Sequence, residues 1–368
     1  MTIRPEALLS GWRGRRLLLE LALRSEALRA DRDGTQVPLA QAVMSASYDL
    51  DPGQGRSVVF YLGPRVPEPT PAATPETVAS LLGQVRLADV DRESALRVLA
   101  EVVVNARYWQ EPDGDDVLAA TAVVRAALGR IATHVAGSAA AVGWWNEPVA
   151  RADQHAVAWD DAAPAPTDGT GDPEVRLASW RVGVLKGERH AVKHAPADPA
   201  ASWSGEWWST PPSELTRTTR GLGRSGPAGL WLVEDGMGWE RAVTSRVAVP
   251  AEARVYEIDG PDAWAALCLA HPLDVTAQKR HDWYRTTGRA ERWVIPDWAI
   301  LALEYDAVHL TAAAYLAAAG TAVPVDRGTC SVIAGWNPDE TYWLTDVVRP
   351  DEDGAVWVLD DEDWVPGS

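Results

Sequence analysis

The chain of 368 residues carries a formal net charge of −18, with 46% hydrophobic and 23% charged residues. This length allows two domains that each bury a core, and the composition is typical of globular proteins. The acidic charge argues against nucleic-acid binding through a basic patch and against an anionic membrane as a partner, because both need clustered Lys and Arg. No apolar stretch approaches the about 18 residues of a membrane span, and the two cysteines lack metal-ligand spacing. We therefore expect a cytoplasmic protein.

Residues 1–160 are predicted to form a mainly helical accessory domain. Apolar residues recur at helical spacing in residues 8–30, 91–106 and 115–134, whereas residues 57–62 have the composition of a short strand. Only five of the nineteen tryptophans of the chain precede residue 160. The change in periodicity and in tryptophan density predicts a second domain beyond this point.

Residues 161–175 are rich in turn-forming and small residues and are the predicted linker. Residues 176–368 are predicted to form an α+β catalytic domain with a mixed or antiparallel split sheet, because strands and helices alternate irregularly there. Its acidic C-terminal tail is expected to be a solvated edge with a trailing strand at 355–359. The predicted strands before the tail are at 180–184, 229–233, 243–249, 254–258, 307–310, 330–334 and 341–347.

Five residues of the second half have the chemistry that NAD cleavage requires. Arg217 and Arg220 precede a Gly-rich turn and an apolar segment containing Trp231, and Glu340 later opens an aromatic segment containing Tyr342. Arginine binds phosphate through a planar fork, and an aromatic face suits the nicotinamide ring. A carboxylate stabilises the oxocarbenium-like transition state that forms when the glycosidic bond breaks.

The order of these residues resembles the mono-ADP-ribosyltransferase pattern: an Arg or His ending a first core strand, an aromatic or Ser/Thr pair on the next, and a Glu opening a later strand. The resemblance covers roughly residues 175–350. It implies an enzyme that uses NAD, releases nicotinamide and modifies an unidentified acceptor, a protein among the candidates, without a metal. It assigns catalysis to Glu340 and Arg220, and nucleotide binding to Arg217, Arg220, Trp231 and Tyr342.

The chain departs from that family pattern at two points. A Ser-x-Ser/Thr element is absent from residues 229–233, where Trp231 is the aromatic substitute. Pro338 stands two residues before Glu340, where many members have the Glu or Gln that orients an acceptor arginine. The resemblance therefore does not imply that the acceptor is arginine.

Two other functions remain open from the sequence. The adjacent pairs Trp144-Trp145 and Trp207-Trp208 could each expose a ring, which would suit a non-catalytic module that binds a ligand or a protein. The third candidate is a metal-assisted hydrolase with the residues Asp297, Asp306, His309 and Asp339. On a strand, His309 faces away from Asp306, which argues against a compact metal triad at that point.

Overall fold

The computed structural model of the chain describes residues 3–54, 73–159, 172–236 and 238–367. The strand predicted at 57–62 and most of the predicted linker lie outside these ranges. Helices dominate the first half of the described chain and strands the second half, which confirms the predicted α+β class. None of the described helices is long and apolar enough to cross a membrane.

Eight helices form most of the described part of the first 150 residues. They are α1 Pro5–Ser10, α2 Trp12–Asp33, α3 Pro38–Leu50, α4 Pro75–Gln84, α5 Arg92–Val104, α6 Gly114–Ala120, α7 Ala122–Gly137 and α8 Ala139–Val142. The start of α5 is set by a capping box, in which Asp91 accepts from the Ser94 amide and the Ser94 hydroxyl accepts from the Asp91 amide. This cap explains why the helix begins where the sequence predicts it.

Two of the predicted helices are interrupted. The helix predicted at 8–30 breaks at Gly11, where an added Cβ would lie 2.3 Å from the carbonyl oxygen of Leu316. The helix predicted at 115–134 breaks at Thr121, which has ψ 145° and whose hydroxyl donates to the carbonyl of Leu118 at 2.8 Å. The first break comes from a tertiary contact and the second from a local hydrogen bond.

Five further α-helices, three short 3-10 helices and twelve strands are also present among the described residues. The helices are α9 Pro173–His194, α10 Pro261–Ala270, α11 Thr276–Thr287, α12 Trp298–Leu301 and α13 Ala312–Ala318. The strands are β1 Gln154–Trp159, β2 Arg217–Arg220, β3 Arg241–Val247, β4 Val255–Ile258, β5 Pro272–Asp274, β6 Arg292–Pro296, β7 Ala307–Leu310, β8 Val323–Asp326, β9 Thr329–Ser331, β10 Thr341–Trp343, β11 Pro350–Asp360 and β12 Asp363–Pro366.

The strands form two mixed sheets. The larger has the order β12-β11-β3-β1-β2-β10-β7-β4, and the smaller has the order β5-β6-β9-β8. The β4–β7 and β6–β9 pairs are parallel, and the other pairs are antiparallel. The predicted trailing strand lies within β11, between β3 and the edge strand β12 of the larger sheet.

Two of the predicted strands have other structures. Residues 180–184 lie inside α9, which Asp172 caps and which has Pro173 in its first turn. These start signals outweigh the β-branched residues of that segment, because a capped helix of 22 residues forms as a unit. Residues 229–233 contain a 3-10 turn instead of a strand, held by a hydrogen bond from the Gly229 amide to the Thr219 hydroxyl at 3.0 Å.

The two predicted domains share one hydrophobic core. Leu8 and Leu18 from the first helices belong to the same buried cluster as Tyr315 and Leu316 of α13. In addition β1, which precedes the predicted boundary at residue 160, lies between β2 and β3 in the larger sheet. Buried residues on both sides of residue 160 therefore pack into one cluster, while the division into two domains remains a prediction.

Candidate functional site

Strands β2 and β10 bring Arg217 and Glu340 together. The strands pair antiparallel with Arg217 opposite Tyr342, and Glu340 immediately precedes β10. Nη1 of Arg217 lies 3.4 Å from Oε1 of Glu340, and the guanidinium carbon lies 6.0 Å from the centre of the Tyr342 ring. A single strand pair thus joins a cation and a carboxylate that are 123 positions apart in the chain.

The carboxyl group of Glu340 is buried, with 7% of the side chain exposed. Its Oε1 accepts from Nδ2 of Asn337 at 3.3 Å as well as from Arg217, whereas Oε2 has no hydrogen-bond partner among the described residues. Burial raises the pKa of Glu340, and the Arg217 charge and the Asn337 hydrogen bonds oppose that rise. One carboxyl oxygen is therefore held in place, while the other is buried without a hydrogen-bond partner among the described residues.

The turn before β10 fixes the position of Glu340. It contains two residues with left-handed backbone, Gly335 at φ 74° and Asp339 at φ 62°, and Asp tolerates this region better than most residues. The amide of Asp339 donates to the carbonyl of Leu310 at 2.8 Å, and the indole of Trp336 donates to the carbonyl of Glu340 at 3.2 Å. Backbone contacts on both sides thus hold the residue that the sequence singled out.

Arg220, which is predicted to bind phosphate and to act in catalysis, is buried and hydrogen-bonded within the protein. Only 3% of the residue is exposed, and each guanidinium nitrogen donates to a protein acceptor. Nε donates to Asp339 at 2.5 Å and Nη1 to the Glu147 carboxylate at 2.8 Å, while Nη2 donates to the carbonyls of Glu147 and Pro148. The guanidinium also lies 5.6 Å from the Trp144 ring centre. The expectation that Arg220 faces a ligand is corrected, because its donors are occupied.

Arg220 belongs to a series of charged groups, Glu257, His309, Asp339, Arg220 and Glu147, which we call the buried charge chain because its three middle residues are buried. Its end residues Glu257 and Glu147 are 28% and 57% exposed. His309 contacts Glu257 through Nδ1 at 2.6 Å and Asp339 through Nε2 at 3.4 Å. Burial acts to lower the pKa of His309, but hydrogen bonds with Asp339 and Glu257 raise it above its ordinary value. Burial acts to raise the pKa of Asp339, and contacts with His309 and Arg220 lower it below its ordinary value. The buried charge chain therefore stabilises the turn that precedes Glu340.

The four residues proposed for a metal-assisted hydrolase do not lie together in one site. Nε of Arg181 lies 2.5 Å from Asp297, and Arg254 holds Asp306 through both guanidinium and backbone donors. The other two predicted residues belong to the buried charge chain. Among the described residues no group of three or more His, Cys, Asp or Glu side chains could hold a metal ion.

The hydrogen bond and the ring contacts of Trp231 are with residues other than Glu340. Its indole donates to the carbonyl of Ser225 at 2.8 Å, Arg97 of α5 lies 5.6 Å from its ring centre, and the ring packs against a small cluster that includes Trp364 of β12. Of the four predicted nucleotide-binding residues, the structure thus brings Arg217 and Tyr342 to Glu340 and gives Trp231 and Arg220 other contacts.

The two tryptophan pairs differ in exposure. Trp144 and Trp145 are 6% and 1% exposed, so neither ring forms a surface patch. Trp208 is 41% exposed, and Trp207 packs against Trp109 with ring centres 4.8 Å apart. Of the two pairs, only the second presents a large aromatic surface to solvent.

Glu234 lies near the site although sequence reasoning does not single it out. Its backbone amide donates to Oδ1 of Asn337, the residue whose amide nitrogen holds Glu340. Neither carboxyl oxygen of Glu234 has a hydrogen-bond partner of ordinary geometry among the described residues, and burial raises its pKa to about 8. An acid after an apolar segment is too common a pattern to have predicted this position.

Comparisons of this chain with protein-family models, with curated proteins and with solved structures returned no match.

Proposed function

We propose that this chain cleaves the bond between nicotinamide and ribose in NAD and transfers the ADP-ribose to an acceptor. The contact between Arg217 and Glu340 across β2 and β10 supports the proposal, because arginine is a side chain suited to phosphate and here it lies beside a buried carboxyl group. The resemblance of their order to the mono-ADP-ribosyltransferase pattern supports the same reaction.

Glu340 would act at the anomeric carbon of the ribose. When nicotinamide departs, positive charge develops on this carbon, and a preorganised carboxylate stabilises it by roughly 3–4 kcal/mol. The fixed Oε1 leaves Oε2 to accept a hydrogen bond from the ribose 2′-hydroxyl. The anionic form is needed for both tasks; burial acts against it by raising the pKa of Glu340, and the hydrogen bond from Asn337 favours it.

Arg217 would bind the pyrophosphate. Its side chain is 40% exposed, so the guanidinium can reach a ligand in solvent, and its planar fork matches phosphate oxygens. In turning towards the phosphates it would leave Oε1 of Glu340 and open the buried carboxylate to the substrate. Tyr342 is only 3% exposed, and its ring lies beside the guanidinium group of Arg217. It therefore offers no exposed aromatic face on which nicotinamide could stack.

Release of nicotinamide from NAD tests the proposal. We expect purified full-length protein to release nicotinamide, measured by chromatography, with water as the acceptor when no other is supplied. Glu340→Gln should lower the rate by ~10²-fold or more, because the amide has nearly the same shape but no charge to stabilise the transition state.

A matched control for this prediction is Glu352→Gln, at an exposed position of β11, which should retain the wild-type rate. Arg217→Lys keeps the positive charge but loses the fork, so it should raise KM for NAD. Absence of nicotinamide release by the wild-type protein, or equal rates for wild type and Glu340→Gln, would overturn the proposed reaction.

A second candidate function is that of a non-catalytic module that binds sugars or aromatic metabolites. The exposure of Trp203 and Trp208, at 39% and 41%, favours it, because exposed indoles commonly contribute to binding sites. Intrinsic fluorescence titrated with such compounds distinguishes the two functions: a change that Trp208→Ala abolishes, in a protein that releases no nicotinamide, favours the binding module.

A further inference from the structure

A cavity of about 230 Å³ lies between the start of α5, the 3-10 helix Gly143–Asn146 and the Gly-rich turn at residues 221–226. A cavity needs only about 10–15 Å³ to hold one water molecule, so this one has room for a small organic molecule. None of its described lining residues belongs to the site at Glu340. The cavity is therefore a separate place at which the protein can hold a ligand.

The floor of the cavity is apolar and buried. It is formed by Leu96 of α5, Leu222 and Trp144, which all belong to the large hydrophobic cluster. Nε1 of Trp144 is buried without a hydrogen-bond partner among the described residues, although a buried indole N–H usually has an acceptor. The floor thus combines apolar surface with one unsatisfied donor, which is typical of small-molecule sites.

Two arginines lie at the opening of the cavity. Arg92 of α5 and Arg224 of the Gly-rich turn are exposed lining residues, and no ion pair or hydrogen bond joins either side chain to another described residue. Glu93 is the acid among the described lining residues, and its Oε1 accepts from Nε and Nη2 of Arg97 at 3.4 and 3.2 Å. The opening therefore carries an excess of positive charge, and its two arginines can bind an anion without breaking an ion pair.

The backbone on both sides of the opening is held in place. Gly223 and Gly226 have left-handed backbone at φ 65° and 71°, which shapes the Gly-rich turn. The indole of Trp231 donates to the carbonyl of Ser225 in this turn at 2.8 Å, and Arg97 of α5 lies 5.6 Å from the Trp231 ring centre. The turn and α5 are thus joined through Trp231, which fixes the spacing of the two segments that carry the arginines.

We propose that this cavity binds a small phosphate monoester that carries an aromatic or other apolar group. The phosphate lies between Arg92 and Arg224, whose planar forks match its oxygens, and its charge of about −1.5 to −2 at pH 7 suits two cations. The apolar group packs against Leu96 and Leu222, and an acceptor atom of the ligand satisfies Nε1 of Trp144. This inference goes beyond the proposed function and does not depend on it, because binding is measured without NAD.

Calorimetric titration of the full-length protein with three probes tests the ligand class. Phenyl phosphate should bind at least ~10-fold more tightly than phenol or inorganic phosphate, because each of the latter carries only one of the two recognised groups. No binding of phenyl phosphate at millimolar concentration would overturn the proposal. Equal affinities of phenyl phosphate and inorganic phosphate would overturn the role of the apolar floor, and equal affinities of phenyl phosphate and phenol would overturn the role of the arginines.

Substitutions at the opening test the place of binding. Arg92→Ala and Arg224→Ala should each weaken phenyl phosphate binding by ~10-fold or more, because each removes charge-assisted hydrogen bonds to the phosphate. Glu93→Gln removes an acid near the anion and should bind at least as tightly as wild type. Arg189→Ala is the matched control, at an exposed arginine of α9 that does not line the cavity, and should keep the wild-type affinity. Wild-type affinity in the double variant Arg92→Ala/Arg224→Ala would overturn the proposed site.

The indole of Trp144 gives a spectroscopic readout of the floor. In protein labelled with nitrogen-15 at its nineteen tryptophans, the indole N–H signal that is missing from Trp144→Phe should shift when phenyl phosphate is added. A Trp144 signal that does not move at saturating phenyl phosphate would overturn binding in this cavity. The arginine variants, whose substituted side chains are exposed, decide the same question if Trp144→Phe does not fold.

Discussion

Replacing Arg220 with alanine should lower the free energy of unfolding by about 3–5 kcal/mol, because it removes a buried guanidinium and its ion pair with the buried Asp339. Asp339, which is 2% exposed, would lose the contact with Nε, and the carbonyls of Glu147 and Pro148 would lose their donors. Denaturant unfolding followed by circular dichroism measures the effect. Arg220→Lys should recover only part of the loss, since a single ammonium group cannot reproduce the several directions of the fork.

Arg217→Ala is the matched control, at the other end of the same short strand. Its side chain is 40% exposed and Glu340 can take up a proton when the partner is lost, so we expect about 1 kcal/mol or less. The two substitutions should therefore have different effects. Arg220→Ala should lower stability, and Arg217→Ala should weaken NAD binding. Equal losses of stability for both variants would contradict the structural role assigned to Arg220.

Replacing Trp336 with alanine should cost about 3–5 kcal/mol, because it removes a large side chain from the centre of an aromatic cluster. Trp336 is fully buried, and its ring meets those of Trp298, Tyr342 and Trp264 edge-on, with centres 5.7, 5.3 and 6.2 Å apart. The same unfolding experiment reports the change. Because the indole also donates to the Glu340 carbonyl, any nicotinamide release should fall together with stability.

Trp203→Ala provides the comparison for Trp336. The Trp203 side chain is 39% exposed and its nearest ring contact is His281 at 6.4 Å, so its loss should cost about 1 kcal/mol or less. A loss for Trp336→Ala as small as that for Trp203→Ala would mean that the aromatic cluster does not hold the turn before β10.

The part of the fold that could be predicted from the sequence is the part governed by local signals. Asp91 with Ser94 determines the start of α5, and short runs rich in apolar or β-branched residues locate β3 and β7. The break at Gly11 could not be predicted, because it depends on a carbonyl 305 positions away at Leu316 that local periodicity does not report. The segment at 229–233 has a strand composition, but the Thr219 hydroxyl holds it as a turn.

The residues of the candidate site also differ in whether local sequence signals could predict their roles. Residue type and order predicted a site with Glu340 and either Arg217 or Arg220, and favoured Arg220, whereas the structure has Arg217 beside Glu340. Arg220 has the same side chain and lies on the same strand, and only its burial against Asp339 and Glu147 gives it another role. Glu234 could not be found because its burial depends on where Tyr108 and Tyr315 lie after folding.

The central position of β1 has a consequence for the order in which the protein folds. Gln154 of β1 accepts a hydrogen bond from Thr218 of β2, which lies 64 positions further along the chain. Pairing over such separations requires closure of a long loop, and the chain loses entropy in this closure before the strand contacts stabilise it. The helices before β1 form through contacts between near neighbours. We expect the helical part to form first and the middle of the sheet to be the slow step. Until that step is complete, β2 and β3 each present an unpaired edge, so refolding yield should fall as protein concentration rises.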